Sequence, residues 1–132
     1  MTQNLYITGA EQGSGKSVIV VAMMEMLCGH AGHVGFFRPV IGSQSQRDPL
    51  IHLIAERYQL DWPYEDMVGC SSEVARELIA ANRYDELLKI ILVQYRKLQA
   101  KCERVLCAGT DYRSGHSVLE FDFNSDVAKN LG

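Results

Sequence analysis

A glycine-rich segment near the start of the chain constrains the fold more than any other feature. Residues 5–8 (LYIT) form a short β-prone run, and Gly9, Gly13 and Gly15 follow it before residues 18–28, which are apolar but for Glu25. Glycines allow the backbone to turn with its N–H groups inward, and a helix N-terminus adds a partial positive charge. The sequence therefore predicts a strand, a tight loop and a helix that together bind an anion.

Lys16 and Ser17 complete the pattern of a P-loop over residues 9–17. In such a loop the lysine reaches the outer phosphates of a nucleotide, and the serine hydroxyl is one ligand of Mg²⁺. The strict pattern has glycine at position 10, where this chain has Ala10, and the glycine lies one residue earlier. The predicted phosphate- or nucleotide-binding residues in the loop are Gly9, Glu11, Gly13, Ser14, Gly15, Lys16 and Ser17.

Length and composition predict one globular domain over residues 1–132. The chain is 47% hydrophobic and 22% charged, which is typical of a folded protein. Thirteen basic and sixteen acidic residues, with no basic run, indicate neither a nucleic-acid partner nor an anionic membrane surface. With no signal-peptide pattern and no stretch that is long and apolar enough to span a bilayer, we expect a cytoplasmic protein.

The chain has four cysteines and no C-x-x-C pair. They are Cys28, Cys70, Cys102 and Cys107. Each lies in or beside an apolar stretch, so we expect buried free thiols rather than disulfides or ligands. His30 and His33 lie close to Cys28, but structural zinc needs four ligands and no second cluster supplies them. A polar turn at the helix end is the favoured interpretation of these histidines.

The remaining pattern alternates between strands and helices. The first helix is expected to be buried on most sides, with its methionines filling the core. Residues 34–37 predict a second strand that ends at Arg38-Pro39, and Asp48-Pro49 predicts a helix with Asp48 as its N-cap. The other predictions are a loop at 61–69, helices at 72–81 and 85–100 separated at Asn82, a third strand at 104–108, an alternating segment at 119–123 and a last helix from 126–130.

This order predicts an α/β protein with a three-layer, P-loop NTPase-like fold and a mainly parallel sheet. Three strands make a narrow sheet for so many helices, and the chain ends where another strand is expected. We therefore expect an incomplete fold, a fragment of a longer polypeptide. An open sheet edge pairs with other chains, so a homo-oligomer is also expected.

The glycine seven residues before Lys16 resembles the loop of dethiobiotin synthetase and its relatives. The closer resemblance is to the N-terminal, dethiobiotin-synthetase-like domain of long-form bacterial phosphate acetyltransferases. That domain has the same loop, a Gly-Phe-Phe-Arg-Pro strand, an Arg-Asp helix start, a Val-Glu-Gly-Thr-Asp strand end and a Phe-Glu-Phe-Asp-Leu-Asn stretch in this order. The corresponding segments here are residues 8–17, 35–39, 47–48, 107–111 and 119–124.

The resemblance implies that an acetyltransferase domain follows residue 132. In such proteins that domain exchanges acetyl-CoA and phosphate for acetyl phosphate and CoA. The N-terminal domain is thought to sense metabolites or support assembly. The implied role of this chain is therefore to bind a nucleotide, with ATP and Mg²⁺ as candidates, or a small phosphorylated metabolite, and not to catalyse.

Three features depart from a synthetase. The magnesium-binding glutamate of that family is matched by Ala108, its strand lysine is matched by Arg38, and no other residue offers an obvious base. Arg38 is interpreted either as a phosphate contact or as a solvated residue at a strand end. Asp48 is interpreted as an N-cap or, with Ser17, as a metal ligand, and Asp111 as a metal ligand or a turn residue.

Two functions from different classes remain open at this point. One is a regulatory or assembly domain that binds a phosphate compound through a degenerate P-loop. The other is an ATP-dependent ligase of the dethiobiotin or cobyrinate-amidating type. Ala108 and the expected missing C-terminal half favour the binding domain, and the fold alone does not distinguish the two.

Overall fold

The structure is a computed structural model that describes residues 3–7, 16–30, 33–42, 45, 47–109, 127 and 129. Residues 3, 4, 16, 17 and 30 are described for their backbone only. The elements in chain order are β1 (Gln3–Ile7), α1 (Lys16–His30), β2 (Val34–Ile41), α2 (Pro49–Arg57), a 3₁₀ turn (Tyr64–Met67), β3 (Val68–Ser71), α3 (Ser72–Ala80), α4 (Tyr84–Gln99) and β4 (Arg104–Ala108).

The four strands form one parallel sheet in the order β1-β4-β2-β3. Strand β2 changes partner along its length: Val34 to Phe37 pair with β4, whereas Arg38, Val40 and Ile41 pair with β3. Parallel strands require crossover connections, and helices provide all of them here. The predicted α/β class with a parallel sheet is confirmed.

Helices cover both faces of the sheet, and each face has its own apolar core. Phe36 lies among residues of α1 and α2, on what we call the α1 face. Its neighbour Phe37 lies among residues of α3 and α4, on the α4 face. Adjacent residues of a strand point to opposite faces, so both phenylalanines of this pair are fully enclosed. The arrangement has three layers, as predicted.

Two predictions about strands are wrong. Strand β2 does not end at Arg38-Pro39 but continues to Ile41. Pro39 lies beyond Phe37, the last residue that pairs with β4, so its missing N–H removes no hydrogen bond from that ladder. The first two residues of strand β3 were predicted to belong to the loop at 61–69. The strand was missed because its sequence, VGCS, is short and has glycine at its second position.

The prediction that α1 is buried on most sides is also wrong. Met24 is fully enclosed and fills the core as predicted, but Met26 is 57% exposed. Val18 and Ile19 are also exposed. The helix begins two residues earlier and ends two residues later than the apolar run that predicted it. A sequence that is apolar except for Glu25 does not reveal which side of the helix lacks a neighbour.

The predicted breaks between helices are confirmed. Asp48 caps α2, since its Oδ2 accepts a hydrogen bond from the Ile51 N–H at 3.1 Å. Helices α3 and α4 are separated at Asn82, whose φ of 60° lies in the left-handed region that asparagine tolerates. Val127 and Lys129 are helical, in accord with a last helix, and Val127 packs on the α4 face. The alternating segment at 119–123 lies outside the described residues.

All four cysteines are free thiols, as predicted, and three of them are buried while Cys28 is half-buried. Burial raises the pKa of Cys70 to about 12 and that of Cys102 to about 11, so both thiols are uncharged at neutral pH. Among the described residues, no helix is long and apolar enough to cross a membrane.

Candidate phosphate-binding site

The predicted binding loop begins at the carboxyl end of β1, an outer strand of the described sheet. Ile7, the last residue of β1, pairs with Ala108, the last residue of β4. The Gly109 N–H then donates to the Ile7 carbonyl at 2.8 Å. Ligands of open α/β sheets bind outside the carboxyl ends of the strands. The chain therefore enters residues 8–15 at the edge where such folds bind ligands, with Ala108 directly beside the entry.

The far end of the loop is the start of α1. Lys16 is the first residue of this helix and Ser17 the second, so the position of the P-loop pattern between a strand and a helix is confirmed. The side chains of Lys16 and Ser17 are not described, and the loop residues themselves lie outside the described residues. Phosphate binding by Gly9, Glu11, Gly13, Ser14 and Gly15 stays a prediction.

Arg38 lies at the same edge, but it is buried within the protein and not solvated. Arg38 as a whole residue is only 6% exposed. Its Nη1 donates to both carboxylate oxygens of Asp48, at 2.9 and 3.1 Å. Its Nη2 donates to the Gly109 carbonyl at 2.9 Å, and its Nε lies 3.4 Å from the Ala108 carbonyl oxygen. The guanidinium therefore links the end of β4 to the start of α2.

Asp48 is the second half of this buried pair and is 7% exposed. Its Oδ2 accepts from both Arg38 and the Ile51 N–H, so one side chain caps a helix and neutralises a guanidinium. Its own backbone N–H donates to the Tyr64 hydroxyl at 2.8 Å. The guanidinium of Arg47 stacks over the Tyr64 ring at 4.6 Å. We call Arg38, Asp48 and Tyr64 the edge cluster.

Sequence analysis predicted two members of the edge cluster and missed the third. Tyr64 was assigned to a featureless loop, and nothing in a lone tyrosine beside Trp62-Pro63 indicates a partner sixteen residues earlier. The pairing of Arg38 with Asp48 was also not predicted, although both residues were selected. A phosphate contact by Arg38 requires its guanidinium to share or exchange its present partners, and that contact stays a prediction.

The described residues are a poor fit for Mg²⁺. This cation needs oxygen ligands in near-octahedral geometry, commonly one or two carboxylates besides the phosphates. Both Asp48 oxygens already accept hydrogen bonds, and Ala108 brings no oxygen donor beyond its backbone. Within the part of the chain that is described, no three His, Cys, Asp or Glu side chains form a metal-binding group. Asp111 lies outside the described residues.

Comparison with known proteins agrees with the fold. A sequence profile described as AAA domain matches residues 3–132. A phosphate acetyltransferase of Nitratidesulfovibrio vulgaris is 44% identical over the whole chain, and a phosphate acetyltransferase of Synechocystis sp. is 33% identical over 99% of it. In both cases the chain spans 19% of the relative's length. The predicted resemblance is confirmed.

Proposed function

We propose that this chain, which belongs to the AAA domain family, is the N-terminal phosphate- or nucleotide-binding domain of a phosphate acetyltransferase. Both relatives carry that name, and both are about five times as long as the chain. The acetyl transfer itself then belongs to another part of the longer protein. The domain's own role is to bind a phosphate compound, in regulation or assembly.

One observation carries this proposal. The segment with the P-loop pattern leaves β1 at Ile7 and enters α1 at Lys16, at the carboxyl edge of a parallel sheet. From this position we expect the positive end of α1, and the N–H groups of a P-loop, to face a bound anion. Lys16 then supplies a point charge for the outer phosphates, and the Ser17 hydroxyl supplies one oxygen ligand for a cation.

Binding without turnover is the behaviour that the edge of the sheet supports. Phosphoryl transfer depends on a metal that bridges phosphate oxygens and neutralises developing charge. Ala108 stands beside the loop entry without a carboxylate, and the Asp48 carboxylate is held by Arg38. A serine alone holds Mg²⁺ weakly. The same residues argue against the alternative ATP-dependent ligase, which needs that metal for every turnover.

Replacing Lys16 with alanine is expected to weaken ATP binding about 10- to 100-fold, because a charged hydrogen bond contributes about 1.5–3 kcal/mol. Isothermal titration with ATP and with inorganic phosphate measures the change. Lys89→Ala is the matched control, since Lys89 is exposed on α4 and remote in sequence from the loop. An equal loss of ATP affinity in both variants, or no loss in Lys16→Ala, would show that the loop is not part of the binding site.

Replacing Ala108 with glutamate is expected to make ATP binding depend on Mg²⁺, since the new carboxylate stands beside the end of β1. We expect at least a tenfold difference in affinity with and without Mg²⁺ in the variant and a smaller one in the unmodified chain. The unmodified chain should hydrolyse ATP no faster than background. Robust turnover by the unmodified chain would favour the ligase, and an unchanged Ala108→Glu titration would show that position 108 does not face the ligand.

A further inference from the structure

Arg47 is an exposed cation that directly precedes the N-cap of α2, beside the edge cluster. Its guanidinium lies over the Tyr64 ring, 4.6 Å from the ring centroid. The Tyr64 hydroxyl accepts from the Asp48 N–H at 2.8 Å, so the ring is fixed to the residue that follows Arg47. Stacking uses the face of a guanidinium, whereas its N–H donors lie in the plane of the group and point outward. The stacked arginine is therefore oriented with its donors available to an anion.

The charges of the described residues do not cancel at this edge. Arg38 and Asp48 form a buried ion pair at 2.9 Å and neutralise one another. No ion pair formed between described residues includes Arg47. The part of the carboxyl edge that these three residues form therefore carries one net positive charge, and the exposed side chain of Arg47 presents it.

Arg47 lies at the edge from which the binding loop leaves the sheet. The loop begins after Ile7, whose carbonyl accepts from the Gly109 N–H at 2.8 Å. The Gly109 carbonyl accepts from Arg38 Nη2 at 2.9 Å, and Arg38 Nη1 donates to Asp48. Three hydrogen bonds therefore connect the start of the loop to the residue beside Arg47. Ligands of open α/β sheets bind outside this edge.

The described residues supply positive charge to this edge through arginine and not through a metal site. In P-loop NTPases a metal ion bridges the β- and γ-phosphate oxygens and neutralises their charge. Here Ala108 brings no carboxylate, and both Asp48 oxygens accept hydrogen bonds from other groups. Arginine always carries its charge and binds phosphate through two parallel hydrogen bonds. Arg47 therefore has the chemistry to neutralise a phosphate that no metal ion holds.

We propose that this domain binds a nucleoside triphosphate without requiring Mg²⁺, and that Arg47 contacts the terminal phosphate in place of the metal. The inference rests on the proposed function, in which the loop binds a phosphate compound. Lys16, at the start of α1, and Arg47, just before α2, then contact the phosphate chain from two successive helices. Tyr64 is a positioning residue, because it orients the guanidinium before the ligand arrives and so reduces the side-chain freedom lost on binding.

Titration of the full-length protein with ATP and with ADP, in EDTA and in Mg²⁺, tests the role of Arg47. Arg47→Gln removes the charge and keeps a polar side chain, whereas Arg47→Lys keeps the charge. Arg57→Gln is the matched control, because Arg57 is also exposed and also stacks on a tyrosine, Tyr58, at 5.5 Å. Arg57 is the last residue of α2 and lies about 13 Å along the helix from its start. Only ATP binding that Lys16→Ala weakens is assigned to this domain.

The terminal phosphate and the charge of Arg47 determine the expected result. We expect Arg47→Gln to weaken ATP binding in EDTA about tenfold or more, and ADP binding about threefold or less. Arg47→Lys is expected to retain most of the ATP affinity, and Arg57→Gln is expected to leave both affinities unchanged. The unmodified protein should bind ATP with affinities in EDTA and in Mg²⁺ that agree within about threefold.

The outcomes separate the inference from the function on which it rests. ATP binding that Lys16→Ala weakens and Arg47→Gln does not would overturn the role of Arg47 and keep the proposed function. ATP binding that requires Mg²⁺ in the unmodified protein would do the same. If neither ATP nor inorganic phosphate bound in a way that depends on Lys16, the inference and the proposed function would both fall. Far-UV circular dichroism of each variant shows that a loss of affinity is not a loss of fold.

Discussion

Replacing Arg38 with methionine is expected to lower the free energy of unfolding by about 3–5 kcal/mol, a large part of the 5–15 kcal/mol typical of a domain. The variant leaves the Asp48 carboxylate buried with no guanidinium, and the carbonyls of Ala108 and Gly109 each lose a hydrogen bond from Arg38. A buried charge without a partner retains its full desolvation cost. Urea denaturation followed by circular dichroism measures the loss.

A double-mutant cycle shows whether the loss comes from the pair. Asp48→Asn removes the charge of residue 48 and keeps an oxygen that accepts from the Ile51 N–H, so the cap of α2 survives. The double variant Arg38→Met/Asp48→Asn is expected to recover at least half of the loss seen for Arg38→Met. Simple additivity of the two single changes would mean that the residues do not interact as described.

A surface pair provides the control for the size of this effect. Arg57 and Glu25 are 2.7 Å apart but are 52% and 56% exposed at their side chains, whereas Arg38 and Asp48 are 7% and 6% exposed. Exposed ion pairs contribute about 0–1 kcal/mol, so Arg57→Met is expected to cost little. A comparable loss from Arg57→Met would indicate a general effect of removing arginine and not one of burial.

The fold was predictable where the signal is local. The strand, loop and helix around Lys16 follow from residues that are adjacent in sequence, and Asp48-Pro49 is a helix start in which the cap contacts the chain three residues ahead. Strand β3 was not predicted because its position depends on β2 and not on its own residues. Met26 was misjudged because the sequence of α1 does not show which side of the helix lacks a neighbour.

Two of the three members of the edge cluster were predictable, but the partners of those two residues were not. Arg38 and Asp48 were both selected from sequence, and each was considered for a bond to a ligand or a metal. The structure pairs them with each other, because the end of β2 and the start of α2 converge at the carboxyl edge. Spacing along the sequence does not show that two charged residues ten positions apart neutralise one another, since the turn between them sets the geometry.

Replacing Gly69 with alanine is expected to lower the free energy of unfolding by about 3 kcal/mol, at the upper end of typical overpacking costs. A Cβ at this position would clash with the Pro39 carbonyl oxygen and would lie 3.1 Å from the Pro39 Cα. These are backbone atoms of the neighbouring strand, so no side-chain rotation relieves the clash. Strands β2 and β3 must move apart, and urea denaturation measures the cost.

The same substitution elsewhere provides the control. Gly29 lies near the end of α1, and a Cβ there meets nothing within 4 Å. Gly29→Ala is therefore expected to raise the free energy of unfolding by up to about 1 kcal/mol through helix propensity. Opposite signs at the two glycines would show that Gly69 is required by the approach of Pro39. A neutral Gly69→Ala variant would mean that β3 does not lie against Pro39 as described.

The destabilising effect of Gly69→Ala is also expected to reach the edge cluster. Val68 pairs with Arg38, and Tyr64 in the 3₁₀ turn immediately before β3 accepts from the Asp48 N–H. When β3 moves away from β2, Arg38 loses its neighbour in the sheet and Asp48 loses the Tyr64 hydroxyl. We therefore expect Gly69→Ala and Arg38→Met to destabilise non-additively, with a combined loss smaller than the sum of the single losses. Full additivity would mean that β3 does not support the edge cluster.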